Sequence, residues 1–200
     1  MEKLSSLRDR KKTATRASLL VAANHLFRTQ GFEVTTIDDI CVVVNVSRRT
    51  FFRYFPTKEA LVFPHRAERL ERFLAFLEVA PPGENPFETL RRATEDFAVD
   101  YMRHRDQILA QQSLIESSSS LQATEREIDR DWEEVISRHF MKSGSDEPEG
   151  ELRARVLAGA SIGVIRATMR HWFRRGGEED LADLGLEAID CLERGFPLKR

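Results

Sequence analysis

Apolar residues recur at helical spacing from the first part of the chain onward. Within residues 11–30 they fall at positions i, i+3, i+4, i+7 and i+8, the pattern of one buried helix face. The residues concerned are Leu19, Ala22, Ala23, Leu26 and Phe27. Gly31 follows, and glycine commonly ends helices because it adopts left-handed backbone angles without strain. The pattern therefore predicts a first helix over about residues 11–30.

Two short helices are predicted next. Thr36 precedes the first of them, and Asp39, three residues later, completes the arrangement of a capping box. Asn45 tolerates left-handed geometry and suits a tight turn. Ser47 is placed to cap the following helix, which reaches Phe55. We therefore expect a helix, a tight turn and a second helix in succession.

The β-branched run at residues 41–44 is the nearest approach to a strand in this sequence. Its flanking residues follow helical spacing, and it lies between two helix starts. We therefore predict that this run is helical and that the fold is all-α.

The rest of the chain is predicted to be helical in blocks. A fourth helix is expected from Lys58 to about Val79, kinked at Pro64 because proline removes a helical hydrogen bond. Residues 80–85 form a linker, and Pro86 opens the next helix as a proline at the first helical position. Further helices are predicted over residues 86–104, 106–117, 119–142, 149–175 and 180–195. The total is about nine helices.

The composition fits a folded protein, and its charge is unevenly distributed. Hydrophobic residues make up 41% and charged residues 32%, with a net charge of −2. Residues 1–60 carry 11 Lys and Arg against 6 Asp and Glu, whereas residues 61–200 carry 20 against 27. A basic first part on an acidic remainder indicates that only one end of the molecule meets a polyanion.

The sequence gives little reason to predict an enzyme, a metal-binding protein or a membrane protein. The tripeptide at residues 104–106 is similar to a kinase catalytic loop, but no Asn follows at the required place and no Gly-rich phosphate loop exists. The two cysteines and five histidines have no metal-ligand spacing. No apolar stretch approaches the roughly 20 residues of a membrane span. We therefore expect a cytoplasmic protein that is not an enzyme and binds no metal, cofactor or membrane.

Residues 35–61 carry the features of a DNA-binding helix. The apolar residues of both short helices can face inward, which leaves the start of the second helix available. The residues left there are Arg48, Arg49, Thr50, Phe52 and Arg53. A helix fits the major groove with its first residues at the base edges, and arginine binds guanine through two hydrogen bonds. The chemistry of DNA reading is therefore present.

The same segment resembles the helix-turn-helix of the TetR/AcrR family of transcriptional regulators. That family opens the motif with Thr-Thr-hydrophobic, turns at Gly-Val-Ser and ends with Tyr-Phe-x-x-Lys-Glu. Residues 35–37, 45–47 and 54–59 hold these places here, and residues 26–32 match the preceding helix. Asn45 stands where glycine is usual, a change that the turn preference of Asn makes tolerable.

The resemblance implies that Arg48, Arg49 and Phe52 face bases. Phe52 replaces a tyrosine common in the family, so it keeps an apolar contact to a thymine methyl but lacks the hydroxyl's phosphate contact. Arg53 could contact either bases or phosphates. The remaining DNA-binding residues are the Ser47 cap and those implied at phosphates, Thr36, Thr50, Tyr54 and Lys58.

Alternative interpretations of these basic residues stay open. The arginines of the second helix could form a merely solvated face, although the matching caps, turn and flanks favour DNA binding. The preceding basic arm could follow DNA or could be a frayed tail. Its residues are Arg8, Arg10, Lys11, Lys12 and Arg16.

The resemblance also implies two domains with different functions. Residues 1–56 would form the three-helix DNA-binding domain, with the motif at about 34–55, and residues 57–200 a helical ligand-binding and dimerisation domain. The last two helices would form the dimer interface, and small residues on the penultimate one permit close approach: Ala158, Gly159, Ala160, Gly163 and Ala167. These faces could instead pack only within the subunit. Paired half-sites independently favour a dimer, because one short recognition helix specifies little sequence.

The pattern of later helices is similar to a narrower group described as binding acyl-CoA-like ligands. An acyl-type effector would then lie among Phe97, Tyr101, Leu114 and Trp172, with its anionic group at Arg166 and Arg170. In the alternative interpretation, the aromatic residues are plain core and the arginines pair with Glu187 or Asp190.

These features predict a ligand-responsive repressor that binds a palindromic operator as a homodimer. Ligand binding would shift the fourth helix and change the distance between two recognition helices, which must match half-sites ~34 Å apart. The alternative is a helical ligand- or partner-binding protein whose first domain is not used on DNA. Alanine in place of Arg48 and Arg49 distinguishes the two, because only the repressor loses DNA binding.

Overall fold

The computed structural model describes residues 7–81, 83–143 and 148–195. Regular structure in these ranges consists of nine α-helices and one short 3-10 helix, Glu59–Leu61, with no strand. The α-helices are α1 Leu7–Gln30, α2 Ile37–Val44, α3 Arg48–Tyr54, α4 Arg66–Glu78, α5 Pro86–Arg103, α6 Arg105–Glu116, α7 Ser119–Ser143, α8 Pro148–Arg174 and α9 Leu181–Arg194. The all-α prediction is confirmed, and the β-branched run at residues 41–44 belongs to α2.

Local signals set the ends of α2 and α3. The Thr36 side chain accepts a hydrogen bond from the Asp39 amide, and the Asp39 carboxylate accepts one from the Thr36 amide, which completes the predicted capping box. Asn45 follows α2 with φ 56° and ψ 52°, in the left-handed region that Asn tolerates better than most residues. Ser47 caps α3 by accepting a hydrogen bond from the Thr50 amide. The predicted caps and turn are confirmed.

Two helices differ from the prediction. α1 begins at Leu7, earlier than the expected start near residue 11. The single kinked helix expected over residues 58–79 is wrong, because the 3-10 helix ends at Leu61 and α4 begins only at Arg66. Pro64 lies in this interval, where its missing N–H and its steric effect on the preceding residue break the helix instead of bending it.

The chain divides into two compact units. The first, termed the head, comprises Met1–His65 and Leu114–Thr124, and the second, termed the body, comprises Arg66–Ser113 and Glu125–Arg200. The predicted boundary after Pro56 therefore leaves out part of the head. The end of α6 and the start of α7 belong to the head because they supply Ile115 and Leu121 to its core.

Polar contacts fix the turn between α6 and α7 within the head. Ser118 is buried, and its hydroxyl donates to the Glu33 carboxylate. The Ser120 hydroxyl donates to Glu59 Oε1 at 3.0 Å, which engages the 3-10 helix. The run of serines at residues 117–120 therefore spans the turn and the start of α7, and the hydroxyls of Ser118 and Ser120 are hydrogen-bonded within the head.

The body has two apolar clusters. One is rich in aromatic contacts, with the Trp132 ring 4.9 Å from that of Phe73 and 5.7 Å from that of Phe97. The other contains Trp172, which is fully buried and donates through Nε1 to the Glu179 carbonyl at 2.9 Å. A buried indole N–H needs such a partner, so Trp172 is satisfied as a core residue.

Ion pairs join α5 to α9 inside the body. The Arg91 guanidinium donates to Asp190 Oδ1 at 2.6 Å and to Glu193 Oε2 at 2.5 Å. The same guanidinium lowers the pKa of both carboxyls. Because Arg91 is only 16% exposed, these pairs fix the register of the two helices.

A close approach of α5 and α9 depends on a glycine. A Cβ built on Gly185 would lie 2.4 Å from Thr94 Cγ2, which is far inside van der Waals contact. Side chains of ordinary size at this position therefore require α5 and α9 to separate or Thr94 to move.

We expect Gly185→Ala to destabilise the protein by about 1–3 kcal/mol through overpacking, even though alanine by itself favours a helix by about 1 kcal/mol over glycine. The measurement is urea unfolding at one fixed protein concentration. Thr94→Ser removes the clashing methyl group, so the double variant should recover most of the loss.

Gly159→Ala is the matched control, since its added Cβ would meet only the Glu133 carboxylate at an ordinary 3.5 Å. We expect this variant to be at least as stable as the wild type. A Gly185→Ala protein that is more stable than the wild type would contradict the close approach of α5 and α9.

Candidate DNA-binding surface

The core of the head holds α3 with one face buried. Phe51 is fully buried and Phe55 is 3% exposed, and their ring centroids lie 6.1 Å apart. Ile40 of α2 belongs to the same core. A helix of seven residues is too short to be stable alone in water. Packing on this core therefore gives α3 its conformation and leaves its opposite face to solvent.

The exposed face of α3 brings together four residues that the sequence predicted to contact DNA. Arg48, Arg49, Phe52 and Arg53 are all exposed, and Phe52 shows 45% of its surface. Three guanidinium groups and an aromatic ring on one exposed face match the chemistry of base edges and phosphates. DNA contact by these residues remains a prediction.

Arg48 is oriented by two neighbours. Its Nη1 donates to both carboxylate oxygens of Asp38, at 3.0 Å and 2.9 Å. Its Cζ lies 5.9 Å from the centroid of the Phe52 ring. Asp38 is in the first turn of α2, so this ion pair joins the two helices of the motif.

Tyr54 lies at the end of α3 in a basic setting. Arg53 Nη2 donates to the Tyr54 hydroxyl at 3.4 Å, and Arg53 Cζ lies 5.0 Å from the ring centroid. This hydrogen bond, aided by one from Thr15, lowers the pKa of Tyr54. Hydrogen bonds received by a hydroxyl strengthen it as a donor, which suits the predicted contact with phosphate.

Two hydroxyl residues of the predicted set, Thr36 and Ser47, are helix caps, and Thr50 is the partner of Ser47. Thr36 Oγ1 donates to Asp39 Oδ2 at 2.7 Å, and these hydrogen bonds lower the pKa of the Asp39 carboxyl. Ser47 Oγ accepts from the Thr50 amide at 3.2 Å and lies 3.0 Å from Thr50 Oγ1. Their established contacts are therefore local, and they fix the starts of α2 and α3.

Lys58 differs from the surface cation expected at a phosphate. Its Nζ donates to the carbonyls of Phe32 at 2.7 Å and Thr35 at 3.0 Å, with a third carbonyl, that of Glu33, at 3.5 Å. It also lies 4.1 Å from the centroid of the Phe32 ring. The ammonium group thus ties the loop between α1 and α2 to the segment after α3. A phosphate contact would require it to give up one of these carbonyls.

The basic arm is helical where it is described. Residues 9–12 belong to α1 and are exposed, whereas the side chain of Arg8 lies outside the described residues. Arg16 turns inward: its Nη2 donates to the Pro64 carbonyl at 2.6 Å, and its Cζ lies 5.4 Å from the Phe55 ring centroid. Arg16 therefore stabilises the head, whereas Arg10, Lys11 and Lys12 are exposed.

The residues predicted to surround a ligand belong to different apolar clusters or to the surface, and a shared ligand site among them remains a prediction. Leu114 packs on the core of the head, Trp172 is a buried residue of the second body cluster, and Phe97 packs on the first. Arg170 is exposed on α8. Arg166 pairs with Asp129 at 3.2 Å, and not with Glu187 or Asp190 as in the alternative interpretation.

Tyr101 has a neighbour that the sequence did not indicate. Arg69 of α4 donates to the Tyr101 hydroxyl at 3.2 Å and lies 4.8 Å above its ring. Arg72, one turn later, lies 5.0 Å from the Phe97 ring centroid. These arginines were missed because they face α5, and helix-to-helix contacts leave no sign in the sequence of α4 alone.

The described part of the chain contains no helix long and apolar enough to cross a membrane. Within the same residues, no three His, Cys, Asp or Glu side chains are grouped so that they could hold a metal ion.

Two family models together match most of the chain. Residues 19–63 match the model of bacterial regulatory proteins of the tetR family, and residues 84–197 match the MftR C-terminal domain. The first match contains α2, α3 and the turn between them.

Two curated relatives are transcriptional regulators. The HTH-type transcriptional regulator TcmR of Streptomyces glaucescens is 33% identical over 192 residues, which cover 92% of this chain and 81% of that protein. The putative mycofactocin biosynthesis transcriptional regulator MftR of Mycobacterium tuberculosis is 25% identical over 169 residues, covering 82% of this chain and 83% of that one.

Solved structures share the fold at lower identity. Thermus thermophilus FadR, a TetR-family repressor in complex with lauroyl-CoA, has a TM-score of 0.58 at 23% identity and covers 92% of this chain and 96% of its own. Bacillus subtilis FadR in complex with stearoyl-CoA has a TM-score of 0.64 at 16% identity, covering 90% and 98%.

We expect Lys58→Met to lower the melting temperature, because carbonyl groups in the loop between α1 and α2 lose their donor. An unsatisfied buried acceptor costs about 1–3 kcal/mol, which corresponds to roughly 2–12 °C for a chain of this size. The measurement is thermal unfolding followed by circular dichroism.

Lys11→Met is the control, since Lys11 is an exposed lysine of α1. It removes the same charge and should leave the melting temperature nearly unchanged. A Lys58→Met protein that melts like the wild type but binds DNA more weakly would instead favour a direct phosphate contact.

Proposed function

Because the chain belongs to the TetR family of bacterial transcriptional regulators, we propose that it represses transcription by binding a palindromic operator as a homodimer. The observation that carries this proposal is the exposed face of α3, where Arg48, Arg49 and Arg53 stand on a helix fixed by caps and a buried core. Such a regulator acts on DNA in the cytoplasm and uses no catalytic step, metal or cofactor.

The charge distribution supports this orientation toward DNA. Basic residues are in excess over residues 1–60 and acidic residues over the remainder, so a polyanion is attracted to the head and repelled by the body. Phosphate contacts give affinity, and base contacts give sequence preference. On α3, Arg48 and Arg49 would supply base contacts, while Tyr54 and the caps at the helix starts would supply phosphate contacts.

We expect the double variant Arg48→Ala, Arg49→Ala to lose specific DNA binding. A bidentate guanine contact is worth about 1–3 kcal/mol of discrimination, so affinity for the specific duplex should fall by far more than affinity for a scrambled one. The measurement is fluorescence anisotropy with the DNA upstream of the protein's own gene, at two salt concentrations. The salt dependence should also become shallower, because fewer cations are displaced.

Arg28→Ala is the control for loss of charge alone, since it removes one positive charge from an exposed position on α1. It should reduce affinity slightly for all duplexes without changing their ratio. Equal binding of the wild type and the double variant would favour the alternative function, a ligand- or partner-binding protein whose head is not used on DNA.

The dimer is proposed to form through α8 and α9. Exposed apolar residues on α8 include Leu152 at 67% and Val156 at 59%, and Gly163 and Ala167 continue along the same side of the helix at intervals of seven and four residues. Small residues let a second helix approach closely, and exposed apolar surface of this kind marks an interface. A paired second copy would also supply the second recognition helix.

We expect Val156→Glu to convert the dimer to a monomer, because each copy would place a charge in a desolvated interface. The measurement is light scattering coupled to size exclusion. Val99→Glu is the matched control, since Val99 is a 58% exposed valine on α5. A wild type that is already monomeric, or a Val156→Glu protein that remains dimeric, would contradict this interface.

We further propose that an acyl-type effector binds the body and releases the protein from DNA. The support is chemical: the body places the aromatic rings of Tyr101 and Phe97 beside Arg69 and Arg72 of α4, and the Trp132 ring beside that of Phe97. An amphipathic ligand with an apolar chain and a negative charge matches that combination. FadR of Thermus thermophilus, which shares the fold, was solved with lauroyl-CoA.

Lauroyl-CoA is therefore the first probe. Added to the DNA complex, it should lower the anisotropy toward that of free DNA, whereas coenzyme A without an acyl chain should have no effect. Arg69→Gln should raise the lauroyl-CoA concentration needed for release, while Arg103→Gln, which changes an exposed arginine on α5, should not. Release by coenzyme A alone, or no release by any acyl chain length, would contradict an acyl-type effector.

A further inference from the structure

Asp38 and Arg48 form an ion pair that is exposed to solvent. Asp38 lies in the first turn of α2, and Arg48 is the first residue of α3. Both carboxylate oxygens of Asp38 accept from the same guanidinium nitrogen, Nη1, at 3.0 Å and 2.9 Å. The Arg48 side chain is 59% exposed and the Asp38 side chain 61% exposed. An ion pair as exposed as this adds little to folding stability, so a role in holding the fold does not account for it.

The geometry leaves one edge of the guanidinium available. Arg48 uses Nη1 for Asp38, and within the described residues neither Nε nor Nη2 has a hydrogen-bond partner. The Nε–Nη2 edge carries two parallel N–H donors, which is the fork that matches the O6 and N7 acceptors of guanine. Asp38 therefore restrains the arginine without using the edge that reads a base.

The Phe52 ring restricts the same side chain from a second direction. The Arg48 Cζ lies 5.9 Å from the ring centroid, one turn further along α3. An arginine side chain is flexible, and holding it in one rotamer before binding avoids an entropy loss during binding. The carboxylate and the ring together fix where the guanidinium points.

Arg49 provides a contrast on the same helix. It is exposed, and in the part of the chain that the structure describes it forms no ion pair or ring contact. A carboxylate beside Arg48 also repels phosphate and partly cancels the charge of that arginine. Arg48 is thus suited to a base, whereas Arg49 is free to meet a phosphate or a base.

We propose that Asp38 is a positioning residue for sequence recognition: it holds Arg48 so that its Nε–Nη2 edge binds a guanine in each half-site. This inference rests on the proposed function, since it requires that α3 enters the major groove. Asp38 itself contacts no base in this proposal and acts only through Arg48.

The test is selection of preferred duplexes from a randomised DNA pool by the full-length protein, followed by sequencing. The proteins compared are the wild type, Asp38→Asn, Arg48→Ala and the double variant, with circular dichroism melting to check that each is folded. We expect the wild type to select a guanine at one position of each half-site. Arg48→Ala should weaken that preference by about five-fold or more, and Asp38→Asn should weaken it at the same position by a smaller factor.

Asp38→Asn combined with Arg48→Ala, and separately with Arg49→Ala, tests whether Asp38 acts through Arg48. Asp38→Asn should add nothing in the Arg48→Ala background, because the residue through which it acts is gone. It should keep its full effect in the Arg49→Ala background. Asp38→Glu, which retains the carboxylate, should restore part of the preference lost in Asp38→Asn.

Two results would overturn the inference. Asp38→Asn could leave the guanine preference intact and raise affinity for every duplex alike, which would mean that Asp38 only repels DNA. It could also relax a different position from Arg48→Ala, which would mean that it acts without Arg48. A wild type that selects no sequence at all would refute the proposed function, and this inference with it.

Discussion

The candidate function depends on the packing of a seven-residue helix that could not persist alone. α3 exists because Phe51 and Phe55 are buried in the core of the head, while Ser47 and Asn45 set the angle at which it leaves α2. One face of α3 is therefore held in the core, and this fixes the position of the arginines on its opposite face. Loss of the core would remove the surface itself along with the contacts it makes.

The head is assembled from distant parts of the sequence. Residues 114–124 contribute apolar side chains to its core, and the Ser118 hydroxyl donates to Glu33 across 85 positions of sequence. Lys58 closes the loop between α1 and α2 from the opposite side of the motif. A small domain has little apolar surface to bury, so these additional contacts supply order that three short helices would lack.

The body is stabilised differently from the head, by contacts between long helices. Its helices are long, its apolar clusters contain most of its aromatic rings, and α5 meets α9 at the contact of Gly185 with Thr94 beside the ion pairs of Arg91. Proteins of one family keep such a helical scaffold while their ligand sites diverge, because the fold requires only apolar volume at the right spacing. Family membership therefore describes the head better than it describes any ligand.

Local signals in the sequence determined the helices, the caps, the Asn45 turn and the exposed basic face, because each depends on residues within a few positions of one another. Tertiary structure alone decided that Arg16 and Lys58 donate to backbone carbonyls, that Arg48 pairs with Asp38, and which apolar cluster of the body holds each aromatic residue predicted to bind a ligand. Those contacts depend on which helix faces meet, and their partners lie 10 to 48 positions apart in the sequence. The spacing of apolar residues along the chain does not predict which helix faces meet, because many helix packings satisfy the same periodicity.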